Sequence, residues 1–260
     1  MSGFSSHWLA LREPLDLAAR NTVVERAFLD VLPTSEVRVL DLASGAGSTV
    51  AALKDKFQMP VSWQLTDFDV SLLDVASSRF QSDLKVQQVD LQADLEKLPF
   101  EQFDAITTSA FLDLTSKAFL ERLIDKVVEA GKPFLASLTY DGRTEFSPGH
   151  GMDETLREAL NRHQQTDKGF GPALGPEAAR VAIELFRARD CRVVQGTSDW
   201  QAGDDTQDFL LEFLSGWQRV GREVGLEAEQ LESWWQDRQI KIGAAQLHVM
   251  VGHVDFVVLP

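Results

Sequence analysis

The stretch "VRVLDLASGAG", Val37 to Gly47, constrains this chain more than any other. Val37, Val39, Leu40 and Leu42 make an apolar run of strand length, and a loop of small residues follows at once. Gly45 and Gly47 permit a tight turn from strand into helix. They also let a ligand approach bare backbone. Asp41 bears on which ligand, because a carboxylate beside the loop disfavours phosphate and favours a cation.

From this loop onward, strand and helix patterns alternate. Strands are expected in "VRVLDL", "PVSWQLTDFD", "LKVQQVDL", Phe103–Thr108, "KPFLASLTY", "RVVQGTSDW" and the closing "QLHVMVGHVDFVVLP". Between them lie helical patterns. In "SKAFLERLIDKVVEA", Phe119, Leu123 and Val127 recur at steps of four, with Gly131 just past the end. Strands separated by helices imply βαβ units, a mostly parallel sheet and a ligand site beyond the strands' C-terminal ends.

Residues 7–31 read as helical, and Pro14 is expected to start a second helix there. Residues 141–176 read as an insertion around a helix near 153–164. Residues 205–241 read as helices rich in large apolar groups, among them Phe209, Phe213, Trp217, Trp234 and Trp235. A length of 260 residues suits one domain with elaborations. The expected core is 35–140, 176–204 and 244–260, with cap elements at 1–34, 141–175 and 205–243.

A net charge of −15 opposes non-specific binding to nucleic acid or an anionic membrane, and no apolar run is long enough to span a bilayer. The single cysteine, Cys191, excludes a disulfide framework and fits a reducing compartment. The first twenty residues lack a basic segment followed by an apolar run, so no secretory signal is read there. A cytoplasmic protein, monomeric or homodimeric, with no metal site is the expectation.

Two ligand classes fit a glycine loop after a first strand. The dinucleotide pattern G-x-G-x-x-G needs a third glycine, and Val50 stands there instead. The series Asp41-Leu42-Ala43-Ser44-Gly45-Ala46-Gly47 resembles motif I of the class I S-adenosylmethionine-dependent methyltransferases, Asp/Glu-x-Gly-x-Gly-x-Gly, with Ala43 in place of the first glycine. The resemblance extends through residues 37–140. It implies a Rossmann-like methyltransferase fold, a seven-stranded, mostly parallel sheet with the last strand antiparallel. It implies S-adenosylmethionine as cofactor and methyl transfer as activity, an enzyme of the EC 2.1.1 type. Asp67 falls where the family's acid takes both ribose hydroxyls, and Phe68 where an apolar residue packs on adenine. Asp90 falls where an acid accepts from the adenine amino group, with Asp94 a competing candidate, and Leu91 would offer backbone. "FDAITTSAF" resembles motif IV and sets Ser109 beside the reacting methyl. Arg12 or Arg20 would clamp the cofactor carboxylate or an acidic substrate, Arg20 being preferred for the cofactor.

On the substrate side the resemblance says less. The chain lacks the Asn/Asp-Pro-Pro-Tyr/Phe motif of enzymes that methylate amino groups of DNA or of protein glutamine, so a small molecule, methylated at O or N, is expected. "HWLALREP", "SAFLDL", "LTYDGR" and "HQQTDKGFGPALGP" are similar to segments of a bacterial methyltransferase group, which implies no particular substrate. Tyr140, Asp113 and His150 are the catalytic candidates, with His163 behind them. Each has an alternative: a core tyrosine, a helix cap, a solvated loop histidine. The glycines of "HQQTDKGFGPALGP" suit a loop that wraps a ligand. A non-catalytic S-adenosylmethionine-binding protein, a sensor or partner subunit, fits the same motifs.

Overall fold

A computed structural model describes residues 5–80 and 84–260. The first four residues of the expected 1–34 cap element therefore lie outside the described residues. The elements run α1 (Ser6–Ala19), α2 (Thr22–Leu29), β1 (Val37–Leu42), α3 (Ser48–Leu53), β2 (Val61–Asp67), α4 (Val70–Arg79), β3 (Leu84–Gln88), α5 (Leu91–Asp94), β4 (Ala105–Ser109) and α6 (Lys117–Ala130). They continue β5 (Phe134–Ser147), α7 (Asp153–Gln164), α8 (Ala178–Arg187), β6 (Arg192–Thr197), β7 (Trp200–Ala202), α9 (Gln207–Glu223), α10 (Ala228–Gly243) and β8 (His248–Leu259).

The sheet order is β3-β2-β1-β4-β5-β8-β6, with β7 also paired to β8. The first five strands in this order are parallel, and β8 runs antiparallel to β5, β6 and β7. The α/β sheet with an antiparallel last strand is as expected, but it has eight strands. The expected strand "RVVQGTSDW" breaks at Ser198–Asp199 into β6 and β7. Asp199 Oδ1 accepts there from the His253 amide at 3.1 Å, and Ser198 N–H donates to the His253 carbonyl at 2.9 Å.

Both sheet faces are covered, as parallel strands require. Leu40 and Leu42 pack with Phe119, Leu123 and Phe186 of α6 and α8. Val37 and Val39, of opposite parity, pack with Val24, Phe28, Leu53 and Leu73 of α2, α3 and α4. A third core joins Leu15 of α1 to Leu156, Phe209, Trp217 and Trp234 of α7, α9 and α10, against Val249 and Val251 of β8.

Two expectations change. Pro14 lies inside α1 and does not start a helix. It forgoes one hydrogen bond, yet α1 continues because Arg12 before it and Leu15 and Asp16 after it are buried in tertiary contacts. The break comes at Arg20, whose backbone is extended, and Asn21 caps α2 by accepting from the Val23 and Val24 amides. The segment 141–147, expected in an insertion, is strand. β5 runs on to Ser147 through two irregularities in its pairing with β8. At the first, Leu138 takes φ 54°, and its amide donates to Asp255 Oδ1 at 2.7 Å. Asp255 Oδ2 accepts from the Asn21 amide at 2.9 Å, so one buried carboxylate fixes both the bulge and the start of α2.

Candidate active site

A cavity of about 760 Å³ opens where β1 to β4 end. Its floor is the loop Ala43–Ala46, then Asp67 and Phe68 at the end of β2, Gln88–Leu91 at the end of β3, and Ser109–Phe111 at the end of β4. Leu9, Arg12, Glu13 and Asp16 of α1 form one wall, and Lys168–Phe170 another. This is the C-terminal edge that the alternation of strands and helices implies.

The loop is held by the residue that ends β2. Asp67 Oδ2 accepts from the Gly45 amide at 2.8 Å, and Oδ1 from the Asp69 amide at 2.9 Å. Each oxygen keeps a further lone pair. Burial raises the Asp67 pKa, and the Asp69 and Gly45 amides oppose the shift. Phe68 beside it is about half exposed at the cavity. Asp90 lines the cavity and caps α5 by accepting from the Gln92 amide at 3.0 Å. Asp94 does not line it and pairs instead with Lys97. Ala43, Gly45, Leu91 and Ser109 also line the cavity. Ala43 takes φ 50°, and so does Ala110 at the end of β4. Both line the cavity, two of the five non-glycine residues with positive φ among the described residues.

Three of the expected cofactor residues stand behind this surface. Asp41 is fully buried and does not line the cavity. Its Oδ1 accepts from Thr107 Oγ1 at 2.6 Å, and its Oδ2 has no partner. Burial pushes its pKa up to about 7, against the pull of Thr107, Thr49 and Arg20. Gly47 packs away from the cavity. At φ 86°, a Cβ there would sit 2.8 Å from the Phe80 ring, so the turn and α4 need a glycine. Arg20 is 5% exposed and donates through Nη2 to Ser109 Oγ at 3.1 Å, while its Nε and Nη1 have no partner.

The catalytic candidates are not brought to the cavity wall. Tyr140 is buried and donates from its hydroxyl to Asn161 Oδ1 at 2.8 Å; burial pushes its pKa up to about 12. Asp113 sits one residue before the lining Leu114. Burial pushes it up to about 6, and its Oδ1 has no partner. It caps no helix, since Ser116 caps α6. His150 accepts through Nδ1 from the Met152 amide in the turn before α7. His163 pairs with Glu223 at 3.3 Å.

Sequence reasoning names Arg12 and Arg20 together, with Arg20 preferred for the cofactor, and does not single out Glu13, Asp16 or Gln88. In the structure Arg12 Nε donates to Asp16 Oδ2 at 3.0 Å, and Asp16 Oδ1 accepts from Trp200 Nε1 at 3.0 Å. Glu13 forms a two-point pair with Arg79, which also donates to the Ala46 carbonyl, so α1 is tied to α4 and to the loop. The i, i+4 spacing of Arg12 and Asp16 was the available signal. Lys168 and Phe170 come from the glycine-rich stretch expected to wrap a ligand, and Phe170 stacks edge-on with Phe111 and Phe119.

Among the described residues, no helix is long and apolar enough to cross a membrane, and no group of three metal-ligating side chains occurs. Residues 39–133 match the family model for a methyltransferase domain. The fold is similar to a cyclopropane-fatty-acyl-phospholipid synthase-like protein from Lactobacillus casei, at 11% identity and TM-score 0.56, covering 100% of this chain and 94% of that one. It is also similar to phosphoethanolamine N-methyltransferase 2 from Haemonchus contortus, solved with phosphomonomethylethanolamine and S-adenosylhomocysteine. That likeness has 15% identity and TM-score 0.50, covering 99% of this chain and 58% of that one. No curated protein matches. The sheet order, the loop after β1 and the matched segment agree: residues 39–133 match a methyltransferase domain, and the chain has the Rossmann-like methyltransferase fold.

Proposed function

We propose that this protein binds S-adenosylmethionine in the cavity and transfers its methyl group to an oxygen or nitrogen of a small molecule. The observation that carries the reading is Asp67, fixed at the cavity wall by the Gly45 and Asp69 amides with lone pairs to spare. A carboxylate so held suits a vicinal diol, which donates one hydrogen bond to each oxygen. The half-exposed Phe68 ring and Leu91 suit the faces of a purine, and Asp90 suits its amino group. The enclosed Arg20, with two unpartnered nitrogens, suits a carboxylate reached past Ser109. The residues therefore fit the cofactor.

When bound, S-adenosylmethionine supplies a methyl group on a positively charged sulfur that departs as a neutral thioether. The protein's own part is orientation and exclusion of water. Ser109 and Ala110, at the end of β4, border the reacting end. Leu9 of α1 and Phe170 close the walls with apolar surface. Asp41 acts from beneath the loop, through Thr107 and the fold of the turn, and touches no ligand. Asp113 stands one residue behind the lining Leu114 with an enclosed, unpartnered oxygen, so it supports that wall and does not touch the acceptor. Tyr140 is committed to Asn161 and His150 to a turn amide, so both act through structure. A cavity of about 760 Å³ has room for a cofactor and a small acceptor.

Calorimetry with S-adenosylhomocysteine tests the reading. Wild type should bind, and Asp67→Ala should bind at least tenfold more weakly, about the loss expected when charge-assisted hydrogen bonds are removed. No heat with wild type would sink it. Turnover of labelled methyl donor with a metabolite extract then separates an enzyme from a sensor or partner subunit.

A further inference from the structure

We propose that Arg12 is the anion-binding group of the acceptor subsite, so that the molecule receiving the methyl group carries a carboxylate or phosphate held by this guanidinium. The inference rests on the cofactor reading above and extends it to the acceptor.

The chain is strongly acidic, yet two cations from separate segments, Arg12 and Lys168, line the cavity. Arg12 is nine-tenths buried. Its Nε is pinned to Asp16 Oδ2 at 3.0 Å. Asp16 is itself held by Trp200 Nε1, and the guanidinium lies 5.8 Å over the Trp200 ring. One edge of the fork is therefore fixed. The two Nη groups find no acceptor among the described residues. A guanidinium clamped along one edge presents the other as a ready two-point site for an oxyanion, with little side-chain freedom left to lose.

Asp16 offsets part of the charge, so geometry more than net charge carries the selectivity. Arg12 lines the cavity, and its two Nη groups have no protein acceptor among the described residues. Lys168, whose Nζ donates to Thr166 Oγ1 at 3.1 Å, adds a second cation to the lining. Arg20 is separate: it lies two helical turns on, and its hydrogen bond goes to Ser109.

The test is calorimetry on the protein saturated with S-adenosylhomocysteine, titrated with benzoate, phenyl phosphate and neutral benzamide. At least one oxyanion should bind and benzamide should not; the tighter of the two acids tells carboxylate from phosphate. Arg12→Gln should weaken that binding about tenfold or more, the scale of a charge-assisted two-point contact. Its affinity for S-adenosylhomocysteine should stay within about twofold, since Arg12 does not serve the cofactor in this reading. Arg12→Lys, which keeps the charge without the fork, should be intermediate. Lys168→Gln leaves the Arg12–Asp16–Trp200 packing untouched and should cost less. Binding of neither acid to the loaded wild type, or equal binding to Arg12→Gln, overturns the proposal. So does a loss of cofactor affinity in Arg12→Gln as large as the loss of anion affinity. Failure of S-adenosylhomocysteine itself to bind wild type overturns both readings, and is distinct from failure of the anions alone.

Discussion

Arg20 Nη2 donates to Ser109 Oγ at 3.1 Å, joining the break between α1 and α2 to the end of β4. The remaining guanidinium nitrogens that are enclosed, Nε and Nη1, have no partner. Arg20→Met should lower affinity for S-adenosylhomocysteine about tenfold or more, because the lost contact is charge-assisted. The unliganded protein should unfold in urea no earlier than wild type, since a half-paired buried charge gives way to an apolar chain. Unchanged ligand affinity would remove Arg20 from the cofactor site.

The loop after β1 offers a pair of opposite substitutions. Ala43 sits at φ 50°, where an L-residue is strained by about 1–2 kcal/mol. Ala43→Gly should therefore leave stability unchanged or raise it by up to about 1 kcal/mol, against the usual cost of introducing glycine. Gly47→Ala meets both φ 86° and the Phe80 ring, and should cost about 2 kcal/mol or more. Urea unfolding of both variants decides; destabilisation by Ala43→Gly would contradict the strain.

Asp41 should make stability fall as the solution becomes less acidic. Its pKa rises on folding from 3.8 to about 7. Between those values the unfolded chain has released the proton and the folded chain keeps it, so stability declines from pH 4 to 7 and levels off above. Asp41→Asn lacks this slope. Relative to that variant, wild type should be most stable below about pH 4 and lose up to about 4 kcal/mol by pH 8. A gap that does not change with pH would show that Asp41 titrates as in open solution.

His253 should act in the opposite direction. It is buried 4.5 Å from the Trp200 ring, and Nδ1 donates to the Val251 carbonyl. Burial, helped by Arg12, lowers its pKa from 6.5 to about 3. The unfolded chain takes up a proton in that window and the folded chain does not, so stability falls as pH drops through it. His253→Gln should lose less stability than wild type between pH 7 and pH 4.5. The same loss in both would exclude His253 from the acid response. In wild type the two slopes oppose one another between pH 4 and 6.5, so its profile should be flatter than either variant's.

The sheet was legible because its signals are local. Val37 and Val39 face one layer, Leu40 and Leu42 the other, and the loop chemistry follows each strand directly. The tail of β5 was not legible. "DGRTEFS" is polar and glycine-bearing, and it is strand because β8 offers Val249–Val251 as a partner far along the chain. Pro14 misled for a related reason: a proline inside a helix is tolerated when the helix is held from both sides. In the site, Asp67, Phe68 and Asp90 follow strand ends and could be read by position. The division between Arg12 and Arg20 could not. Both lie on or at the end of one helix, and which cavity or strand each meets depends on Trp200 and Ser109, residues remote in sequence.

The long pairing of β5 with β8 has a mechanical consequence. Their first- and second-half partners belong to different cores. Phe134–Ala136 pair with Phe256–Val258 in the sheet proper, and Thr144–Ser147 pair with His248–Val251 beneath α7, α9 and α10. The helical layer is thus welded to the sheet by two continuous strands and moves with it as one body. α1 joins the same core through Leu15, so traffic into and out of the cavity falls to the remaining wall, the loop carrying Lys168–Phe170.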